Sequence, residues 1–199
     1  MDEKERFAFY EKVYFYELER KEKLFARLNM PLAMLVATVT FLSYMLNNAP
    51  TAADGFSGVL FWIFYLCAGF SAFVGGVFFR LSWSLRDFDK GLPTSLDLEV
   101  HRRSYTDNYE NYWDNEDEAH ANFRRIVFDY YIEGATVNAE NNDKRGNYLK
   151  SLANCVTVSL FLAMMSFFPF YIHQQESMTN ERAKTTSAST APNEIRPRS

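Results

Sequence analysis

The chain has 199 residues, a net charge of −4 and 48% hydrophobic residues, with a slightly negative mean hydropathy. Two cysteines imply no disulfide-stapled scaffold, and an acidic balance speaks against a nucleic-acid-binding surface. These averages are those of a single soluble domain, but they conceal a segregation: the apolar residues fall largely in three blocks and the charges lie between them.

Residues 1–29 read as a charged, amphipathic helix. Leu18 to Arg27 carry six charges in ten residues, whereas Asn29 to Ala53 carry none. Glu17 with Lys21 and Glu19 with Lys23 are i,i+4 pairs in the favourable order, acidic residue first. Phe7, Tyr10, Tyr14, Leu24 and Leu28 recur at helical spacing, which makes one side apolar. The segment is most simply a cytoplasmic helix running into a membrane span. Its juxtamembrane cations Arg20, Lys21, Lys23 and Arg27 have two readings: a positive membrane anchor with a solvated face, or a packing surface for a neighbouring subunit or the central region. Pro31, which lacks a backbone donor, kinks the junction or marks the start of the membrane helix. The opening "MDEKERF" is too acidic for a cleavable signal peptide, so the first span is expected to insert as its own anchor.

Residues 30–83 read as a transmembrane hairpin. The first block, Met30 to Leu46, is at the lower limit of the roughly 17–25 residues that a spanning helix needs. The second, Gly55 to Phe79, has 25 residues without a charge. The linker "NNAPTAAD" has eight residues and no Lys or Arg, which leaves room only for a tight turn. In the second block Ala68, Ala72 and Gly76 are four apart, with Ser71 and Gly75 as a parallel pair, and Ala33 and Ala37 of the first block share that spacing. In lipid such small-residue faces let backbones approach closely. They fit packing inside one chain, against Ala33 and Ala37, or self-association into a homo-oligomer. Gly76 is expected at a helix contact, and Phe61→Leu on the same span is expected to be mild if that side faces lipid. Cys67 and Cys155 both fall inside spans and read as small packing residues.

Residues 84–150 read as a cytoplasmic helical region. Arg80 to Lys150 hold ten Lys and Arg against fourteen Asp and Glu. A helix is expected to start near Thr94 or Ser95. Phe123, Val127, Tyr130 and Tyr131 share a helix face, and that helix can run unbroken into a third span, with Gly134 and Gly146 as weak points. The third span is Ser151 to Ile172, uncharged over 22 residues but holding Asn154 and Pro169. Residues 173–199 are polar, lack periodicity and are expected to be disordered. The fold class is therefore all-α, an integral membrane protein. Lys and Arg flank the spans at Arg20–Arg27, Arg80–Lys90 and Lys144–Lys150, which places the N-terminus and the 84–150 region in the cytoplasm and the hairpin tip and tail outside.

No motif for chemistry stands out. The sequence has no Gly-rich phosphate loop, Ser elbow, metal-spaced Cys pair or HExxH. His101 reads as a solvated or capping residue. Glu116, Asp117, Glu118 and His120 can in principle meet a divalent cation, but adjacent carboxylates on a helix point to different sides. An acidic helix start, complementing the macrodipole, is the simpler reading. Arg102–Arg103 and Arg124–Arg125 are basic pairs inside a net negative region, so no direct nucleic-acid contact is expected. No catalytic residue, metal or cofactor is expected either.

The stretch "YFYELERKEKLFARLNMPLAML", followed by a span, a short charge-free turn and a second span, resembles the small membrane effectors of bacterial anti-phage systems. The likeness is greatest to the transmembrane effectors encoded beside retron reverse transcriptases, with the membrane effectors of cyclic-nucleotide defence systems second. It covers about Glu11 to Trp83. It implies an inner-membrane toxin held inactive until infection is sensed, which then damages the membrane and ends in abortive infection. The partner implied is a reverse transcriptase with its RNA–DNA hybrid, or a nucleotide messenger. A membrane scaffold without lethal activity is the alternative. A membrane enzyme is a third class, weakened because the polar residues in the spans (Thr38, Thr40, Asn154) are few and uncharged.

Overall fold

The structure, a computed structural model, describes residues 1–50, 55–107 and 116–189. These form four helices and, among the described residues, no strand: α1 (Glu3–Asn47), α2 (Phe56–Ser84), α3 (Ser95–Asp107) and α4 (Glu116–Ser189), with a 3₁₀ turn at Leu85–Phe88. The chain is all-α. Three of its helices are long and apolar enough to cross a membrane: α1, α2 and the Asp117–Asn180 portion of α4. It is therefore built as a multi-pass membrane protein.

The helix starts are written in short polar motifs. Asp2 and Glu5 form a reciprocal capping box, Glu5 N donating to Asp2 Oδ1 at 2.6 Å and Asp2 N to Glu5 Oε2 at 3.0 Å. Thr94 caps α3 through its hydroxyl alone, which accepts from Asp97 N at 3.2 Å and donates to Asp97 Oδ2 at 2.6 Å. Within α3, Arg102 and Arg103 both hydrogen-bond Glu99 and hold its carboxyl down to about 2. α1 runs without a break through Pro31, and α4 through Pro169.

α4 also departs from expectation at its far end. Residues 173–189, expected to be disordered, continue the helix. Between Phe170 and Ser189 there is neither Gly nor Pro, and Gln, Glu, Met, Arg, Ala and Lys are good helix formers even without an apolar stripe. Gln175 donates to Tyr171 Oη one turn back at 3.0 Å. Residues 190–199 lie outside the described residues.

The chain divides into two compact units. The first comprises Met1–Leu32 and Val77–Leu152, and the second Ala33–Gly76 and Ala153–Ser199. In the first unit α1 and α4 run parallel, as the contacts Phe7–Phe128, Tyr14–Tyr131 and Arg20–Asp143 show. Tyr14, Tyr131 and Ala135 form its buried apolar cluster, covered by Phe7, Tyr10, Val13, Leu18, Leu92 and Val127. Of the four residues expected on one face, the cluster takes Val127 and Tyr131. Gly134 is the close-approach point: a Cβ there would lie 2.7 Å from the Tyr14 ring.

In the second unit Leu42 and Met45 of α1, Phe61 and Ala68 of α2, and Ala163 and Phe170 of α4 make the core. α2 runs antiparallel to α4, Ala68 meeting Ser159 and Phe61 meeting Phe170. At the hairpin end the Trp62 indole donates to the Pro50 carbonyl at 2.9 Å. The side of α2 that carries Phe61 does not face lipid, since Phe61 is fully buried. The outward row of α2 is instead Phe56, Val59, Ile63, Leu66, Phe70 and Phe73.

Candidate functional site: a buried ionic clamp

Between Tyr131 and Leu152 the inward row of α4 keeps its three-and-four spacing but changes chemistry. Asn138, Asn142 and Arg145 occupy it, all fully buried, with Asn141 beside them. The facing row of α1 does the same, with buried Glu17 and partly buried Lys21 between Tyr14 and Leu24. Long polar side chains meet where a coiled seam ordinarily holds apolar ones.

Arg145 is the centre. Its side chain has no exposure, and Nη2 lies 3.2 Å from the Asp89 carboxylate, itself only 6% exposed. Nη1 donates to Asn142 Oδ1 at 2.6 Å, and the guanidinium carbon stands 4.6 Å over the Phe25 ring. Lys21 Nζ reaches the same Asp89 at 2.9 Å. The Asn142 amide donates both to the Glu17 carbonyl at 2.8 Å and to its carboxylate at 2.9 Å. Arg20 bridges Glu17 and Asp143, and those bonds raise its already high pKa further, the Asp143 hydrogen bond most. Three cations thus face three carboxylates.

The connector after α2 is tied into this cluster. Past the 3₁₀ turn Asp89 adopts an extended backbone. Asn138 grips both sides of Lys90, accepting from its N–H at 2.9 Å and donating to its carbonyl at 3.0 Å. Asn141 donates to the Phe88 carbonyl at 3.0 Å, and Leu92 N–H donates to Tyr14 Oη at 3.1 Å. The Lys90 ammonium pairs with Glu133.

Such a cluster holds three chain segments in register. Breaking a buried ion pair on one side costs about 3–5 kcal/mol, although an apolar replacement of the whole cluster is often no less stable. Its value is therefore specificity of assembly more than net stability. Its carboxylates are all engaged in ion pairs or hydrogen bonds. Among the described residues no group of three or more His, Cys, Asp or Glu is placed to hold a metal. The acidic run at Glu116 opens α4, as the macrodipole favours. A shallow open groove of about 450 Å³ along α1 is lined by Ala8, Glu11, Lys12, Phe15, Tyr16 and Glu19.

The juxtamembrane cations divide. Arg20 and Lys21 belong to the clamp, whereas Lys23 makes the expected pair with Glu19 at 2.7 Å and Arg27 is exposed. The other expected pair is replaced: Glu17 turns to Arg20 and Asn142, and Lys21 to Asp89, because both stand on the inward row. The small-residue face of α2 is buried at Ala68, Ala72 and Gly75. Its partner is α4, not Ala33 and Ala37, which are exposed because the inward row of α1 runs instead through Thr38, Leu42 and Met45. Ser159 Oγ donates to the Ala68 carbonyl at 2.8 Å, and Ser71 Oγ to the Cys155 carbonyl at 2.9 Å. Gly76 is half-buried, and a Cβ built on it would meet nothing within 4 Å, so it is no close contact within the chain.

Asn138, Asn141, Asn142, Arg145 and Asp89 were not legible as a site in the sequence. The available signal was positional: 138, 142 and 145 continue the spacing set by Tyr131 and Ala135 and resumed by Leu152 and Val156. No protein-family model, no curated protein and no solved structure matches the chain.

Proposed function

We propose that this chain is a membrane-perturbing effector of the inner membrane, with its N-terminus and the 84–150 region cytoplasmic. Its first unit is the handle through which a protein partner restrains it. Release then lets the spans damage the membrane, as in an abortive-infection response. The observation that carries this reading is the ionic clamp: α1, α4 and the connector from α2 meet on buried charge, and each continues into a membrane span. A seam that only had to be stable gains little from buried charge, whereas one that must hold a single arrangement and give it up on a signal does. The likeness to retron effectors supports the same reading and suggests a reverse transcriptase with its RNA–DNA hybrid as the partner. That partner, not this chain, touches nucleic acid. The Lys and Arg flanks support the orientation.

The test is expression of the chain alone from a titratable promoter, with a potential-sensitive dye and a growth record. Depolarisation coincident with arrest, with nucleic acids and nucleotides intact, is the expected result. Arrest at unchanged potential points to an enzyme. A second reading, a membrane scaffold, is favoured by the exposed aromatics Phe9, Phe15 and Tyr16 on α1. It takes over when neither expression nor any trigger arrests growth.

A further inference from the structure

We propose that residues 88–92, the connector leaving α2, form a releasable strap, fastened to α1 and α4 chiefly through polar contacts and able to detach while those two helices stay paired. The fastenings are the Asn138 and Asn141 amides on the backbone of Lys90 and Phe88, the Asp89 carboxylate on Lys21 and Arg145, the exposed Lys90–Glu133 ion pair, and Tyr14 Oη on Leu92 N–H.

Apolar adhesion is slight by comparison. Phe88 is 69% exposed, Gly91 contributes no side chain, and Leu92 is only half-buried against the Tyr14 cluster. Every polar fastening can be replaced by water when the strap lifts, so closing gains little net free energy from each one. The Arg145 guanidinium works in the same direction. Closed, it is fully desolvated, and its Nε has no protein acceptor. Open, water reaches it while Asn142 still accepts from Nη1. Desolvation in one state and loss of Asp89 in the other bring the two states close in free energy, as a two-state element requires.

The helix pair survives the opening because its own contacts do not pass through the strap. Tyr14 packs on Tyr131 and Gly134, Phe7 on Tyr131, and Asn142 holds Glu17 directly. Release therefore frees the chain that follows the second membrane-spanning helix without unfolding what remains. For what that freedom accomplishes, the inference rests on the effector reading; for the strap itself it does not.

Hydrogen exchange on the full-length protein in lipid nanodiscs tests it. In the Asn138→Ala and Asp89→Asn variants, amides 88–92 are expected to exchange about ten-fold or more faster than in the parent, with amides 10–20 and 135–145 unchanged. Trypsin cleavage after Lys90 is expected to accelerate in parallel. Equal acceleration of strap and helices would overturn the inference, since the cluster would then be a core element that opens only with the whole unit. Unchanged exchange in both variants would also overturn it. Should either variant fail to insert, exchange in the parent decides: the strap must open at lower denaturant than the helices. The potential-sensitive dye separates the two proposals, because a strap that opens in Asp89→Asn without depolarisation stands by itself and removes the effector reading.

Discussion

The two units carry the same inward spacing on α1 and α4 with opposite seam chemistries. In the first, Tyr14, Glu17 and Lys21 on α1 face Asn138, Asn142 and Arg145 on α4. In the second, the corresponding rows are Thr38, Leu42 and Met45 on α1 and Ser159, Ala163 and Ser166 on α4, and no charge enters. Their polar groups are hydroxyls that bond within reach, Thr38 to Met34 O at 2.8 Å and Ser159 to Ala68 O at 2.8 Å. The difference matches what lipid and water each favour. Apolar surface gains nothing by leaving lipid, so helices there associate through small residues, close backbones and short hydrogen bonds. In water, burial of aromatics supplies the adhesion, and a buried ionic group can then be carried for what it specifies.

The largest effect expected of that contrast comes from removing seam polarity in each unit. Asn142→Leu leaves the Glu17 carboxylate and Arg145 each short of one buried hydrogen-bond partner while their ion pairs remain, and should cost about 1.5–3 kcal/mol. Ser159→Ala, which deletes one hydroxyl bond between membrane helices, should cost only about 0.6 kcal/mol. Thermal unfolding of the detergent-solubilised protein, followed by the reactivity of a cysteine introduced at buried Ala135 in the first unit and of native Cys155 in the second, compares them. Equal losses would break the contrast.

Overpacking comes next. Gly134→Ala drives a methyl into the Tyr14 ring and should cost about 1–3 kcal/mol of first-unit stability. Ala68→Leu, at a fully buried position of α2, should cost a similar ~1–3 kcal/mol in the second unit. Gly76→Leu should stay within about 0.5 kcal/mol, because its Cβ would meet open space. A crosslinked oligomer lost in Gly76→Leu alone would move that glycine's role to a contact between copies.

The smallest effect is confined to α3. The carboxyl of Glu99 lies below its ordinary value, so its contribution is full above that value and is lost as pH falls through about 2. Helicity of α3 should therefore decline between its ordinary range and about pH 2, and Glu99→Gln should reduce that dependence. Added salt should weaken it, since the pair is exposed.

Much of this architecture is legible in the sequence because long-range segregation of charge survives without any contact information. The charge-free windows mark all three helices long and apolar enough to span a membrane, and the break before Thr94 and Ser95 marks the start of α3. The clamp is not legible. Asn138, Asn141 and Arg145 reach a non-helical strap 48 to 56 residues away, and their run of amides and charges has the composition of a solvated face. Only the spacing betrays it, and spacing does not name the partner. Phe61 shows the converse limit: an aromatic in an all-apolar helix gives no hint of whether it meets lipid or protein. Residues 173–189 continue α4 without an amphipathic stripe, so hydrophobic periodicity carries no sign of them.

Accessibility of single cysteines to an impermeant maleimide tests most directly whether the two seams answer to water and lipid. In a variant lacking Cys67 and Cys155, cysteines are placed at Ser104 in the first unit, and at Phe70 and Asn48 in the second, all exposed on the protein surface. The expected result is labelling of Ser104→Cys in inverted vesicles only, Asn48→Cys in intact spheroplasts only, and Phe70→Cys in neither. Labelling of Phe70→Cys as fast as Ser104→Cys would contradict it, because the uncharged seam would then lie in water like the charged one.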